Sequence, residues 1–370
     1  MARPPRHCDP DKYYLLTNRT LRAKYFMRPD KAVREIILGC LAKWAARYDV
    51  EIVCFTFLSN HFHIIARFPN RNMSKFMEQF QGQIAERING FRGRDGTFWH
   101  DRYDDTVILD GQMLKEKIAY VVNNAVGHRL VTHAENWPGI CSFDWHKSGE
   151  PVEGKWLNKT EQSRLERKGK SNARERAKEL YTFDLHLPEE LGGADKADRR
   201  HSLLELVEQD RKRLEKERKT DREGVAGARA ITHLDWQSRP EEPEEAPSVL
   251  CVTADPDKRK RYRDKRRRIT DDYRAAVRKW RKKEVAEFPV GTIPPGWRRC
   301  VSSSTDLEPP EPTANEDSDP EEVDDASDTQ PSSTGASVGK DEDAQDPNDW
   351  IADEYSSEKV EEFSEEDYIF

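Results

Sequence analysis

The stretch Ser59-Asn60-His61-Phe62-His63-Ile64-Ile65-Ala66-Arg67-Phe68 carries two histidines separated by one aromatic, followed by an apolar run with β-branched residues. Side chains alternate across a strand, so His61 and His63 share one face while Phe62, Ile64, Ala66 and Phe68 line the other. Such a strand can present two imidazoles side by side while its opposite face anchors in a core. The spacing alone describes a hydrogen-bonded histidine pair equally well. A metal reading therefore depends on partners elsewhere in the chain.

Upstream, Glu51–Leu58 (EIVCFTFL) is nearly all apolar, which suits a strand buried on both faces. Ser59-Asn60 then makes a tight turn into the histidine strand. Lys12–Thr20 reads as a first strand, and Asp30 as the cap of a helix running to about Tyr48, with Val33, Ile36, Ile37, Leu41 and Trp44 at helical spacing. Downstream, Phe76, Met77, Phe80, Ile84 and Ile88 predict a second helix over Met73–Phe91, ended near Gly93 and Gly96. Phe98–Leu109 looks like a strand or the start of a hairpin. A third helix is expected from about Met113 to Val126, with Gly127 as its C-cap. The order β-α-β-β-α-β-α predicts an α+β fold, an antiparallel sheet with helices packed on one face.

On the third helix Tyr120 and Asn124 stand at i and i+4, and Lys117 lies one turn earlier on the same face. Leu114, Ile118, Val121, Val122 and Ala125 supply the apolar side. By itself a tyrosine here is ordinarily a boundary residue, ring packed and hydroxyl wet.

Four motifs in order, NHFHIIARFP, FWHDRYDD, YVVNNAVGHRLV and ENWPGICSF, resemble the single-tyrosine HUH transposases, and most closely their REP-associated branch. The resemblance covers roughly residues 10–146 and includes Asn18-Arg19 at the end of the first strand and the downstream Trp137-Pro138. It departs at Ala125, where members commonly carry proline. It implies a ferredoxin-like HUH nuclease domain in which His61, His63 and Asn124 hold a divalent metal, Mg2+ or Mn2+. Tyr120 would be the nucleophile on single-stranded DNA, forming a 5′-phosphotyrosine link and releasing a 3′-OH. The expected partner is single-stranded DNA folded as a hairpin or palindromic repeat, acted on by a monomer or homodimer. A replication initiator or relaxase would use the same histidines, and a regulator of the same fold could bind without cutting. A lone tyrosine four residues before an asparagine on a late helix favours the transposase.

Single-strand binding needs cations for phosphate and aromatics for stacking. Arg19, Arg67, Arg71, Arg102 and Lys117 are the chosen candidates, with Phe98, Trp99 and Tyr103 as stacking residues. Arg19 and Arg67 rank first, as strand-end residues beside the site. His100, His128 and His133 are read as surface or structural.

The remainder of the chain is set by charge. Of the 370 residues, 35% are hydrophobic and 36% charged, and the net charge of −8 hides a segregation. Residues 301–370 hold 24 Asp and Glu against two Lys, whereas 1–300 hold 60 basic and 46 acidic residues, a basic body with an acidic tail. Divisions are expected at 10–146 (catalytic domain), 147–247 (polar helical extension and linker), 248–300 (basic helical segment) and 301–370 (acidic disordered tail). Lys258–Lys283 contains 15 Lys and Arg interleaved with Tyr262, Tyr273 and Trp280, an electrostatic footprint for nucleic acid. Six cysteines without a C-x-x-C pair argue against a zinc ribbon or disulfide framework. With no long apolar run, the expectation is a cytoplasmic, nucleoid-associated protein with no membrane contact.

Overall fold

The computed structural model describes residues 5–222, 224–241 and 248–295, all within one compact unit. The acidic tail expected over 301–370 lies outside the described residues. In chain order the elements are β1 (Tyr13–Arg19), α1 (Lys31–Tyr48), β2 (Glu51–Phe57), β3 (His61–Arg67), α2 (Met73–Arg92), β4 (Asp104–Ile108), α3 (Gly111–Val122), α4 (Asn124–Gly127) and β5 (Ile140–Cys141). There follow α5 (Phe143–Ser148), β6 (Val152–Leu157), α6 (Lys159–Arg167), α7 (Ala173–Arg176), β7 (Lys178–Phe183), α8 (Lys196–Asp221), α9 (Ala228–His233), β8 (Cys251–Val252) and α10 (Pro256–Arg281).

The mixed α+β class is as expected. Six strands form a sheet in the order β5-β2-β3-β1-β4-β8, antiparallel except for the β4–β8 pair, and β6 and β7 form a separate hairpin. The helices, however, cover both faces rather than one. Tyr14, Leu16, Phe62, Ile64 and Ala66 pack with Ile37, Leu41, Phe76, Phe80 and Ile84 of α1 and α2. Tyr13, Leu15, Val53 and Ile65 pack instead with Leu114, Ile118 and Val121 of α3 and with Leu203 and Val207 of α8. Both parities of β1 are apolar, so both of its faces demand a cover; each fully buried large side chain contributes about 2 kcal/mol. The register shift between Ile52 and Cys54 in β2 lets Val53 and Cys54 both serve the α3 side before Phe55 returns to the other.

Two segments expected to lie outside the 10–146 division pack into the same compact unit. In the extension, α8 packs along α3, and its surface is laced with ion pairs such as Arg211–Glu208 and Arg213–Glu217. The hairpin β6–β7 lies so close to α1 that a Cβ on Gly154 would collide with the Leu38 carbonyl. In the basic segment, β8 adds the sixth strand and α10 sends Tyr262 into the α1/α2-side core. Gly291, held at φ 83°, accepts a 2.8 Å hydrogen bond from the Cys8 amide.

Asp30 precedes α1 with extended backbone but makes no side-chain cap; its carboxylate is taken by Arg28 and Arg92. Gly127 is not a left-handed cap either: the positive φ falls two residues later, at Arg129. The cysteines among the described residues, Cys8, Cys40, Cys54, Cys141 and Cys251, are buried free thiols. No helix among the described residues is long and apolar enough to cross a membrane.

His146 in α5 is 1% exposed, its Nε2 lacks a hydrogen-bond partner, and burial lowers its pKa from 6.5 to about 4. The folded pKa lies below the unfolded one, so the unfolded chain binds this proton first. The stabilisation is complete above pH 6.5 and is lost as pH falls towards 4. The His146→Phe protein is therefore expected to lose less stability between pH 6.5 and 4.5 than the parent, by about 1 kcal/mol per pH unit. Urea midpoints across that range test this, and identical slopes would contradict it.

Candidate active site

β3 runs antiparallel to both neighbours, and the register sets Arg19 opposite His61 and Thr17 and Thr56 opposite His63. The imidazole centroids of His61 and His63 stand 5.1 Å apart at 80°. They share the sheet face that α3 covers, with Ile65 next along the strand.

Each ring is held at Nδ1. His61 Nδ1 lies 2.8 Å from Asn60 Oδ1, whose own Nδ2 donates to the Ala23 carbonyl. An amide oxygen only accepts, so His61 Nδ1 carries the proton and Nε2 is left with its lone pair. His63 Nδ1 lies 2.9 Å from the Thr17 hydroxyl. Burial holds both rings neutral: His61 is lowered to about 3, opposed by its interaction with Asn124, and His63 is lowered well below its ordinary value. Nearby cations and the other histidines add to the effect on both. Neutral imidazole with its distal proton engaged is the form that binds a metal.

α3 brings the second half of the site. Asp110 caps its start by accepting from the Met113 amide at 2.8 Å. Thr56 ties its end to the sheet by donating to the Val121 carbonyl at 2.6 Å. Asn123 fastens it to α8, donating to the Val207 carbonyl at 2.8 Å and to Asp210 at 3.0 Å. At Asn123 (φ −88°, ψ 10°) the expected single helix breaks into α3 and α4, and Asn124 opens the second piece. Asn124 is 2% exposed and interacts with His61, yet its Oδ1 has no properly formed hydrogen bond. A buried carbonyl oxygen left without a donor costs about 1–3 kcal/mol. A cation beside the two imidazoles would relieve that cost. Among the described residues no group of three or more His, Cys, Asp or Glu could hold a metal, and this amide oxygen is a candidate third donor beside the two imidazoles. Two imidazoles and an amide oxygen fit a divalent ion and leave positions for phosphate oxygens.

Tyr120 stands one turn before Asn124, its ring 5.4 Å from that of His63 and 41% of its surface exposed. Lys117 Nζ lies 5.2 Å from the Tyr120 ring centroid, and burial lowers this amine's pKa. The four residues singled out from spacing thus converge at one end of the sheet.

The expected DNA contacts divide. Arg19 is beside the site, close enough to lower the pKa of His61, and its carbonyl accepts from the His100 amide. Lys117 is also at the site. Arg102 is exposed in the loop that Asn18 fastens through the Asp101 carbonyl, near the same sheet end. Arg67 is not beside the site. It lies six residues beyond His61, roughly 20 Å along the strand, paired with Glu51 and 5.5 Å from the Tyr13 ring. Arg71 lies past that far end, with φ 50°. Among the aromatics, Phe98 is buried and Trp99 packs edge-on to Phe62 while donating to the Gln81 carbonyl. Tyr103 lies under the Arg6 guanidinium. They are core and edge residues rather than an open stacking platform.

His128, expected in a surface or structural role, has its ring centroid 5.5 Å from that of His61. The missed signal was its position four residues after Asn124, the spacing that joined Asn124 to Tyr120. Asn60 and Thr17 were also unassigned; only the strand register reveals that they orient the histidines. Trp137 is 6% exposed and donates to the Phe57 carbonyl at 3.0 Å, a packing role at the end of β2.

Residues 12–124, just under a third of the chain, match the family model described as "Transposase IS200 like". No curated protein matches the chain. Among solved structures, the chain is similar to a REP-associated tyrosine transposase bound to a REP hairpin. Identity is 17%, the TM-score is 0.35, and the match covers 40% of this chain and 86% of that one. It is also similar to a Deinococcus radiodurans R1 protein assigned as a transposase, at 19% identity and TM-score 0.23, covering 30% of this chain and 90% of that one.

Proposed function

We propose, from the match of residues 12–124 to the IS200-like transposases and the geometry around Tyr120, that the protein cleaves and rejoins single-stranded DNA through a phosphotyrosine. The observation that carries this reading is the convergence of an exposed tyrosine with two neutral, Nδ1-anchored imidazoles and a buried, unpartnered amide oxygen.

The Tyr120 oxygen attacks phosphorus, the P–O3′ bond breaks, and the tyrosine is left esterified to the 5′ end. The phenolic proton is released to solvent, and the departing 3′ oxygen takes up a proton. In the reverse sense a 3′-OH from another strand attacks the phosphotyrosine, and Tyr120 leaves as a phenol. The number of phosphodiester bonds is conserved, so no nucleotide cofactor is consumed. Mg2+ or Mn2+ held by His61, His63 and Asn124 would polarise the phosphate as a Lewis acid. His61 and His63 keep their lone pairs aimed by Asn60 and Thr17, and Arg19 and Lys117 supply positive charge for the strand. A DNA hairpin as target, like the one held by the REP-associated structure, belongs to the same reading.

The anchoring of His63 can be tested without DNA. Thr17→Val removes the hydroxyl while keeping the β-branched shape. It is expected to weaken Mn2+ binding about 10–100-fold with stability nearly unchanged, read by calorimetric titration. Unaltered Mn2+ affinity would remove Thr17 from the site.

A further inference from the structure

Two helices of equal length, α8 and α10, treat charge in opposite ways. α8 pairs its charges along its own surface, Arg211 with Glu208 and Glu215, Arg213 with Asp210 and Glu217, Lys219 with Glu215. α10 has nine Lys and Arg among the eleven residues 258–268, in its N-terminal half. Cations there oppose the helix dipole, and like charges at i and i+4 repel, so the arrangement works against the helix itself. Only a few of these charges have structural work. Arg266 is buried and donates to the Pro5 carbonyl, Lys265 reaches Asp9, and Arg259 donates to the Thr253 carbonyl. Among the described residues, no carboxylate forms a salt bridge with Lys260, Arg263, Arg267 or Arg268, all exposed.

The aromatics of this segment do not accompany the charges outward. Tyr262 is 7% exposed in the core, Tyr273 packs on Phe288, and Trp280 joins the same small cluster. The outer face therefore offers cations without stacking rings, which suits phosphate recognition but lacks what single-strand binders use. Its apolar stripe is likewise turned inward, so there is nothing to insert into a lipid surface. A 26-residue helix is about 39 Å long, a little more than one turn of duplex.

We propose that α10 is a second DNA-contacting surface, holding the phosphate backbone of double-stranded DNA without regard to sequence. It supplies duplex affinity whether or not Tyr120 cuts, so it stands apart from the phosphotyrosine reading.

The test uses the full chain and a fluorescent 20-base-pair duplex of arbitrary sequence, followed by anisotropy across a salt series. The variant Lys260→Gln/Arg263→Gln/Arg267→Gln/Arg268→Gln is expected to bind the duplex about tenfold or more weakly. Its plot of log affinity against log salt should be shallower by about one unit per phosphate contact removed. Circular dichroism checks that the variant stays folded, and Arg263→Lys/Arg267→Lys/Arg268→Lys should retain duplex binding because charge alone is read. Adduct formation through Tyr120 on a short single strand should be unaffected. Three results would overturn the proposal: no duplex binding by the parent, an unchanged salt slope in the glutamine variant, or tighter binding to anionic phospholipid vesicles than to duplex.

Discussion

Tyr120→Phe is expected to abolish covalent attachment to single-stranded DNA and to lower strand cleavage by about 10³-fold or more, while DNA binding and thermal stability stay close to the parent. The side chain is 41% exposed and loses only one oxygen, so little packing is at stake. Its ring, which meets His63 at 5.4 Å and Lys117 at 5.2 Å, is retained. This separates a nucleophile from a structural tyrosine, whose loss would move stability or binding along with cleavage. Denaturing gels with labelled strands and a melting curve give both readouts. Residual adduct in the phenylalanine protein would place the nucleophile elsewhere.

The second large effect concerns Asn124. Its Oδ1 is buried without a proper hydrogen bond, so the metal-free protein carries a desolvation cost there. Asn124→Leu, similar in volume and apolar, is expected to leave metal-free stability unchanged or raise it by about 1 kcal/mol. The parent should gain about 2.7 kcal/mol of stability from Mn2+ at one hundred times its dissociation constant. The leucine protein should gain almost none and should lose cleavage. A ligand predicts this opposite pair of changes, stability kept and metal response lost. If Asn124 were only a helix-end residue, the substitution would lower stability and leave the Mn2+ response intact. Melting curves with and without Mn2+ decide between the two.

The central sheet was legible because alternation in β1 and β3 and the solid apolar run of β2 leave little choice of period. Tyr120 and Asn124 were legible as a pair because helical spacing survives the break at Asn123. Register was not legible. Arg19 and Arg67 both end strands, but those strands run antiparallel. The end of β1 therefore lies opposite the start of β3 at His61, and the end of β3 lies opposite Tyr13. Reading both arginines as neighbours of the histidines ignored that reversal. The two-sided helix cover is signalled by apolar residues at both parities, Tyr13 and Leu15 as well as Tyr14 and Leu16. The placement of β8 and α10 depended on contacts between residues far apart in sequence, such as Arg266 with Pro5 and Val107 with Cys251. No local pattern carries them. Tyr262, Tyr273 and Trp280, interleaved with the basic charges in sequence, turn inward as packing residues, which their spacing alone did not reveal.

The most direct measurement is to trap the covalent complex on a cleavable single strand with Mn2+, label the DNA at either end, and map the modified peptide by mass spectrometry. The account predicts that the 3′-labelled fragment stays with the protein, the 5′-labelled fragment leaves with a free 3′-OH, and the modification sits on Tyr120. Retention of the 5′-labelled fragment, or a modification on any other residue, would contradict it.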